Sequence, residues 1–166
     1  MTPLYWTLAF VALQRSAELV WASRNTARLR RLGAVEADAA GYPFFVALHA
    51  GWLASLAILV PAATRPAWPL LGLFALLQPL RLWVVLSLGR CWTTRILSLP
   101  GAPLVAAGPY RWLRHPNYLL VTAEIALLPL AFAAYAVAVA FSALNLALVV
   151  RRIAIEERVL APRRGQ

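Results

Sequence analysis

Acidic residues are scarce in this chain: Asp and Glu number 6 against 16 basic residues among 166 positions, and charged residues of both signs make up 13%. Cysteine is nearly missing. Cys91 stands alone, which excludes an intrachain disulfide and a cysteine-based zinc cluster. No G-x-G-x-x-G run occurs, so the sequence mark of a Rossmann cofactor site is absent. The opening MTPLYW lacks a basic n-region and a small-residue cleavage site, so the first apolar run is expected to be a retained helix.

What is abundant is apolar surface. A hydrophobic content of 62% lies outside the range of soluble globular domains. The expected fold is all-α, a polytopic integral membrane bundle forming one domain over residues 1–166, with any chemistry placed among the helices or in their loops. The net charge of +10 would suggest nucleic acid in a soluble protein. Here the arginines gather in short segments beside apolar runs, which fits topology and contact with membrane lipid, and no basic face interleaved with aromatics supports a nucleic-acid role. Nothing calls for an obligate protein partner.

Five crossings are expected. Pro3 to Trp21 opens with a proline that a first helical turn tolerates, and holds Gln14 and Glu18 on one face beside Arg15. Arg24, Arg28, Arg30 and Arg31 then mark a cytoplasmic loop, which places the N-terminus outside. Tyr42 to Val60 is the second span. His49 near its middle reads as a neutral side chain bonded to a neighbouring helix, because no second ligand stands at metal-binding spacing and no metal is expected. Trp68 to Leu88 is the third span, interrupted by Gln78, Pro79 and Arg81. A proline and a charge at that depth predict a kink beside a protein-lined cavity, with Arg81 facing an anionic ligand group or pairing with Glu18 or Glu124.

Gly89 to Asn117 is the longest polar stretch and is expected to be a long functional loop. The apolar run from Tyr118 to Val150 would be roughly 50 Å long as one helix, more than a hydrocarbon core of about 30 Å, so it must fold back. Pro129 and the segment AFAAYA supply the expected turn of a hairpin. Arg151, Arg152, Arg158, Arg163 and Arg164 then return to the inner face, and the cytoplasmic C-terminus brings Arg152 and Glu156 near the loop 108–118.

In GPYRWLRHPNY, Gly108-Pro109 and His115-Pro116 make constrained corners, while Tyr110, Trp112, His115 and Tyr118 offer flat walls for a ring. In RRIAIEE, Arg152 and Glu156 share a helix face. Together these residues describe a cytoplasm-facing membrane pocket for a ligand with a ring and charges of both signs.

At these positions the sequence resembles the isoprenylcysteine carboxyl methyltransferase family of integral membrane methyltransferases, through LV-x-x-GPY-x-x-x-RHP-x-Y and the following R-x-x-x-EE, over about Gly89 to Leu160. The resemblance implies S-adenosylmethionine as cofactor and S-adenosylhomocysteine as product. It implies that Leu104, Val105, Tyr110, His115, Pro116, Tyr118 and Glu156 bind the cofactor and that Arg152 acts on the substrate near the reacting methyl. Arg114 matches the motif as a structural residue. Ala102 stands where the eukaryotic enzymes carry a histidine, and the FG-x-x-Y-x-x-Y segment is missing, so a smaller acceptor is expected. The loop and the preceding CWTTRI look like the bacterial subgroup linked to O-methylation of alkylpyrones and alkylresorcinols, which implies a bacterial inner membrane and a lipophilic acceptor reached from the bilayer. Prenylcysteine carboxyl methylation, phospholipid N-methylation, and a non-catalytic lipid-binding or transport role remain open beside it.

Overall fold

The computed structural model describes residues 2–161. Arg163 and Arg164, expected at the inner face, lie outside the described residues. Five helices carry the chain: α1 Pro3–Arg31, α2 Tyr42–Leu59, α3 Trp68–Leu88, α4 Pro116–Ala131 and α5 Tyr135–Leu160. Each of α1 to α4 has a proline in its first turn, where the missing N–H would have had no helical partner.

α1 outruns its expected end at Trp21 by a further stretch to Arg31. SRNTARLRR is polar, yet it contains good helix formers and no glycine before Gly33, whose φ of +92° ends the helix. Arg28, Arg30 and Arg31 in the last turn suit the negative end of the helix dipole. The extension is anchored by Asn25, whose amide donates to the carbonyls of Gly89 at 3.0 Å and Trp92 at 2.9 Å.

The core joins Leu4 and Val11 of α1, Trp52 and Leu56 of α2, and Ile125 and Leu128 of α4, all essentially inaccessible. The outward faces are as apolar as the core: Trp6, Leu13, Ile58 and Val139 are more than 60% exposed, a surface that hydrocarbon solvates and water does not. α2, α5 and the segment Trp68–Cys91 are long and apolar enough to cross a membrane. This is a polytopic helical membrane fold. α4, with 16 residues, is shorter, and α1 carries Arg15, Glu18 and a basic end; neither is among those three.

One local expectation is met in part and another is corrected. The reversal falls at Phe132–Ala134, inside the expected AFAAYA segment, with Ala133 at φ +55°, while Pro129 itself lies inside α4. The Pro129 carbonyl accepts from the amides of Phe132 at 3.1 Å and Ala134 at 2.9 Å, so the proline supplies an acceptor there while losing only its own donor. The 89–117 stretch also has more structure than expected. It forms short 3-10 turns at Gly89–Cys91 and Gly108–Arg111, and its strand β2 (Leu97–Ser98) pairs antiparallel with β1 (Val35–Glu36). The α1–α2 and α3–α4 connections are thereby zipped together.

Arg81 of α3 is buried and pairs with both Glu18 and Glu124, the second of the two expectations for it. Its Nε donates to Glu18 Oε1 at 2.6 Å, its Nη1 to Glu124 Oε2 at 3.1 Å, and its side chain lines the central cavity. Arg15 completes the set through Glu124 at 2.5 Å, and Gln78 Nε2 reaches Glu124 Oε1 at 3.2 Å. Two arginines and two glutamates cancel, which makes the cluster tolerable at this depth. Removing one member leaves an uncompensated buried charge. Glu124→Leu should therefore lower unfolding stability in detergent by about 3–5 kcal/mol, whereas the double replacement of Glu18 and Arg81 by methionine should cost less than either single change.

Candidate active site

The site is built where α4 begins and α5 ends. His115 occupies the N-cap position of α4 and Pro116 its first turn, so the backbone corner expected at His115-Pro116 starts the helix. One turn on, Tyr118 stacks on His115, with ring centroids 5.4 Å apart and planes inclined by 20°. The Tyr118 hydroxyl donates to Glu156 Oε2 at 2.5 Å and accepts from Arg152 Nε at 2.9 Å. Arg152 and Glu156, one turn apart on α5, thus meet through a tyrosine of α4.

The surroundings hold this triad in place. Arg152 Nη2 donates to the Thr94 carbonyl at 2.8 Å, and its guanidinium lies 4.9 Å from the centre of the Phe45 ring. His115 Nε2 lies 2.8 Å from Glu157 Oε1, and the largely exposed Arg114 approaches Glu157 at 3.7 Å. Arg114 lies at the rim of the cavity, and so exposed an ion pair contributes little to stability.

The loop wall turns on Gly108, which has φ +54°; a Cβ there would lie 2.0 Å from Ser87 Oγ and 3.1 Å from Trp83 Nε1. Pro109 is buried and Tyr110 follows it into the wall. Burial, and secondarily the Glu156 carboxylate, raises the Tyr110 hydroxyl above its ordinary pKa, so it stays protonated as a donor.

These groups line a cavity of about 720 Å³. Leu104, Val105, Tyr110, His115, Tyr118, Arg152 and Glu156 all line it; Pro116 is instead buried at the start of α4. The cavity continues down between the helices to Val46, His49, Leu53 and the Arg15–Glu18–Arg81 cluster. Its upper part is therefore polar and ring-walled, and its lower part apolar with a charged but neutralised wall. Among the described residues no group of three or more His, Cys, Asp or Glu is placed to hold a metal ion.

Several parts of the site have no counterpart in the sequence motifs. Phe45 carries no motif signal, and Thr94, though part of CWTTRI, is used through its backbone carbonyl, a contact that almost any residue with the right backbone can supply. Asp38 reads in sequence as one acid in a small-residue loop. It forms a bidentate pair with Arg151, with both distances 2.9 Å, and accepts from the Gly41 amide at 3.2 Å. A second tie runs through Glu36, which binds Arg30 and, at 2.6 Å, Arg95; Arg95 in turn lies 4.1 Å over the Tyr42 ring.

The bond from Arg151, with burial opposing it, holds the Asp38 carboxyl below its ordinary pKa. A carboxyl whose folded pKa is depressed contributes stability above its unfolded pKa, roughly 4, and loses it as pH falls through the folded value. Acid titration of the solubilised protein should show that the parent loses stability relative to Asp38→Asn only below about pH 4. Gly108→Ala, which meets both positive φ and Ser87, should cost about 1–3 kcal/mol in thermal unfolding.

Comparison with known proteins agrees with the geometry. The chain is 37% identical over 162 residues to the "Uncharacterized protein YpbQ" of Bacillus subtilis (strain 168), covering 95% of this chain and 96% of that one. No solved structure matches it. Residues 70–162, which include all of α4 and α5, almost all of α3, and the loop between α3 and α4, match the isoprenylcysteine carboxyl methyltransferase (ICMT) family. With that match spanning more than half its length and the Tyr118–Arg152–Glu156 site inside it, the chain belongs to the ICMT family of membrane methyltransferases.

Proposed function

We propose that the protein transfers a methyl group from S-adenosylmethionine to an oxygen of a lipophilic small molecule, with an alkylated pyrone or resorcinol as the acceptor class. The observation that carries this is the continuous cavity joining a ring-walled polar chamber to an apolar one. Its volume of about 720 Å³ falls within the range of roughly 300–1,000 Å³ usual for small-molecule sites.

The residues present fit the cofactor. The stacked His115 and Tyr118 offer ring faces, Tyr110 a protonated donor, and Glu156 a carboxylate for the cationic part; Leu104 and Val105 supply apolar wall. Pro116 acts from beneath by fixing the His115 corner. When bound, the cofactor supplies an already activated sulfonium methyl. It is then left to the protein to align the acceptor oxygen and exclude water. Arg152 is suited to the alignment, because Nε and Nη2 are engaged by Tyr118 and Thr94, while Nη1 makes no hydrogen bond among the described residues and can donate to an acceptor oxygen.

The proposed topology has five crossings, with the N-terminus outside and the C-terminus and site at the cytoplasmic face of a bacterial inner membrane, the whole chain forming one membrane domain. α4 and α5 then make a hairpin that closes the site. In support, Asn145 Nδ2 donates to Thr122 Oγ1 at 3.1 Å between them, midway along their contact. An acceptor carried in the bilayer would approach between α1 and α2, where the cavity-lining Ser16, Leu19, Val46 and Ala50 are also exposed on the outer surface.

Purified protein incubated with methyl-labelled S-adenosylmethionine and a bacterial lipid extract should place the label on a lipid in a base-stable ether, and Arg152→Ala should lower incorporation by about 10²-fold or more. Label in a base-labile ester would point to a carboxylate acceptor, and label on a headgroup amine to phospholipid N-methylation. Calorimetry that shows no affinity for S-adenosylmethionine or S-adenosylhomocysteine would overturn the methyltransferase role.

A further inference from the structure

The sequence suggests that His49 is a neutral histidine bonded to a neighbouring helix. Its bond is instead to its own helix: Nδ1 lies 2.8 Å from the Phe45 carbonyl oxygen. A carbonyl only accepts, so Nδ1 carries the proton, and the neutral ring presents its lone pair at Nε2. Nε2 makes no hydrogen bond among the described residues, and His49 lines the same cavity as Tyr118 and Arg152.

Its position relative to the site follows from α2. Phe45, whose ring carries the Arg152 guanidinium, is one turn from His49, a rise of about 6 Å. Phe45 and His49 share a face of α2, so a ligand oxygen lying between the Arg152 guanidinium and His49 would meet the imidazole there. Each of the other carboxylates and the other imidazole lining the cavity already holds a partner: Glu18 holds Arg81 and Arg15, Glu156 holds Tyr118, and His115 holds Glu157. His49 Nε2 offers an uncommitted nitrogen acceptor on the α2 wall of the same cavity. The charged groups acting on it are Arg15 of α1 and Glu124 of α4, and Glu18, Arg81 and Arg152 line the same cavity.

We propose that His49 takes the proton of the methyl acceptor, which makes the acceptor a phenol or enol hydroxyl. The proposal rests on the methyltransferase role above and names the chemistry of its acceptor. As the acceptor oxygen gains the methyl carbon, the carbon–sulfur bond breaks with its electron pair going to sulfur, and the hydroxyl proton passes to Nε2. The products are a methyl ether, a thioether and an imidazolium; the imidazolium then releases its proton to water through the cavity mouth. A carboxylate acceptor would need no such group.

The chain has only two histidines, so 15N-histidine labelling resolves His49 from His115 directly. Adding a phenol with a long alkyl chain to the detergent-solubilised protein, without cofactor, should shift the His49 Nε2 resonance, and the phenol's methyl ether should not. His49→Gln should retain affinity for S-adenosylhomocysteine and lose about 10²–10⁴-fold in turnover of that phenol. A nitro-substituted analogue already ionised at the assay pH should lose far less. No Nε2 shift in the parent protein, or an equal loss on the ionised and un-ionised phenols, would overturn the proposal while leaving the methyltransferase role intact. Failure of the parent to bind S-adenosylhomocysteine would instead remove that role. If His49→Gln does not fold, the resonance shift in the parent decides.

Discussion

The Tyr118 hydroxyl is the point on which this structure turns. It donates to Glu156 and accepts from Arg152, and so ties the first turn of α4 to the last turns of α5. A hydroxyl bonded to a carboxylate and a guanidinium at once makes charge-assisted bonds stronger than neutral ones. The two helices can present these side chains to each other because the chain reverses within Phe132–Ala134, leaving them antiparallel. His115 stacks on the same tyrosine from the preceding turn, and Arg152 lies over the Phe45 ring, so the loop, the hairpin and α2 meet around Tyr118 and Arg152.

Below that point the protein places charge in a region where charge is expensive. Arg15, Glu18, Arg81 and Glu124 are nearly or wholly buried and mutually neutral, and they bond across α1, α3 and α4. Well-packed apolar side chains would often serve stability as well. What apolar side chains would not provide is a polar wall in a chamber otherwise largely lined by apolar residues such as Leu19, Val46 and Leu53. The cluster and His49 sit together there, which couples the packing of α1 to the environment of the proposed acceptor.

Much of this is legible in the sequence, because the signals are strong ones. The α2 and α3 spans follow from apolar length and terminal prolines. The proximity of 108–118 to Arg152 and Glu156 follows from a run too long to cross once, together with arginines that have to return. What the sequence hides depends on contact across the chain. The α1 extension is held by Asn25 against Gly89 and Trp92, and one asparagine in a polar run announces nothing. Asp38 and Glu36 become ties only when Arg151, Arg95 and Arg30 arrive. The turn falls just beyond Pro129 because a proline near the end of a helix can be absorbed when its carbonyl caps the next residues. His49 looks inert in sequence because the bond that fixes its tautomer is to its own backbone, a feature no spacing reveals.

Tyr118, Arg152 and Glu156 must act as one unit if they are to hold the cofactor. A double-mutant cycle of Tyr118→Phe and Glu156→Gln, read as S-adenosylhomocysteine affinity by calorimetry, measures that directly. Residues sharing a hydrogen bond at a common site should show a coupling of about 0.5–3 kcal/mol, with the second substitution costing less once the first is made. Two losses that add to within about 0.3–0.5 kcal/mol, or no loss from either change, would contradict it.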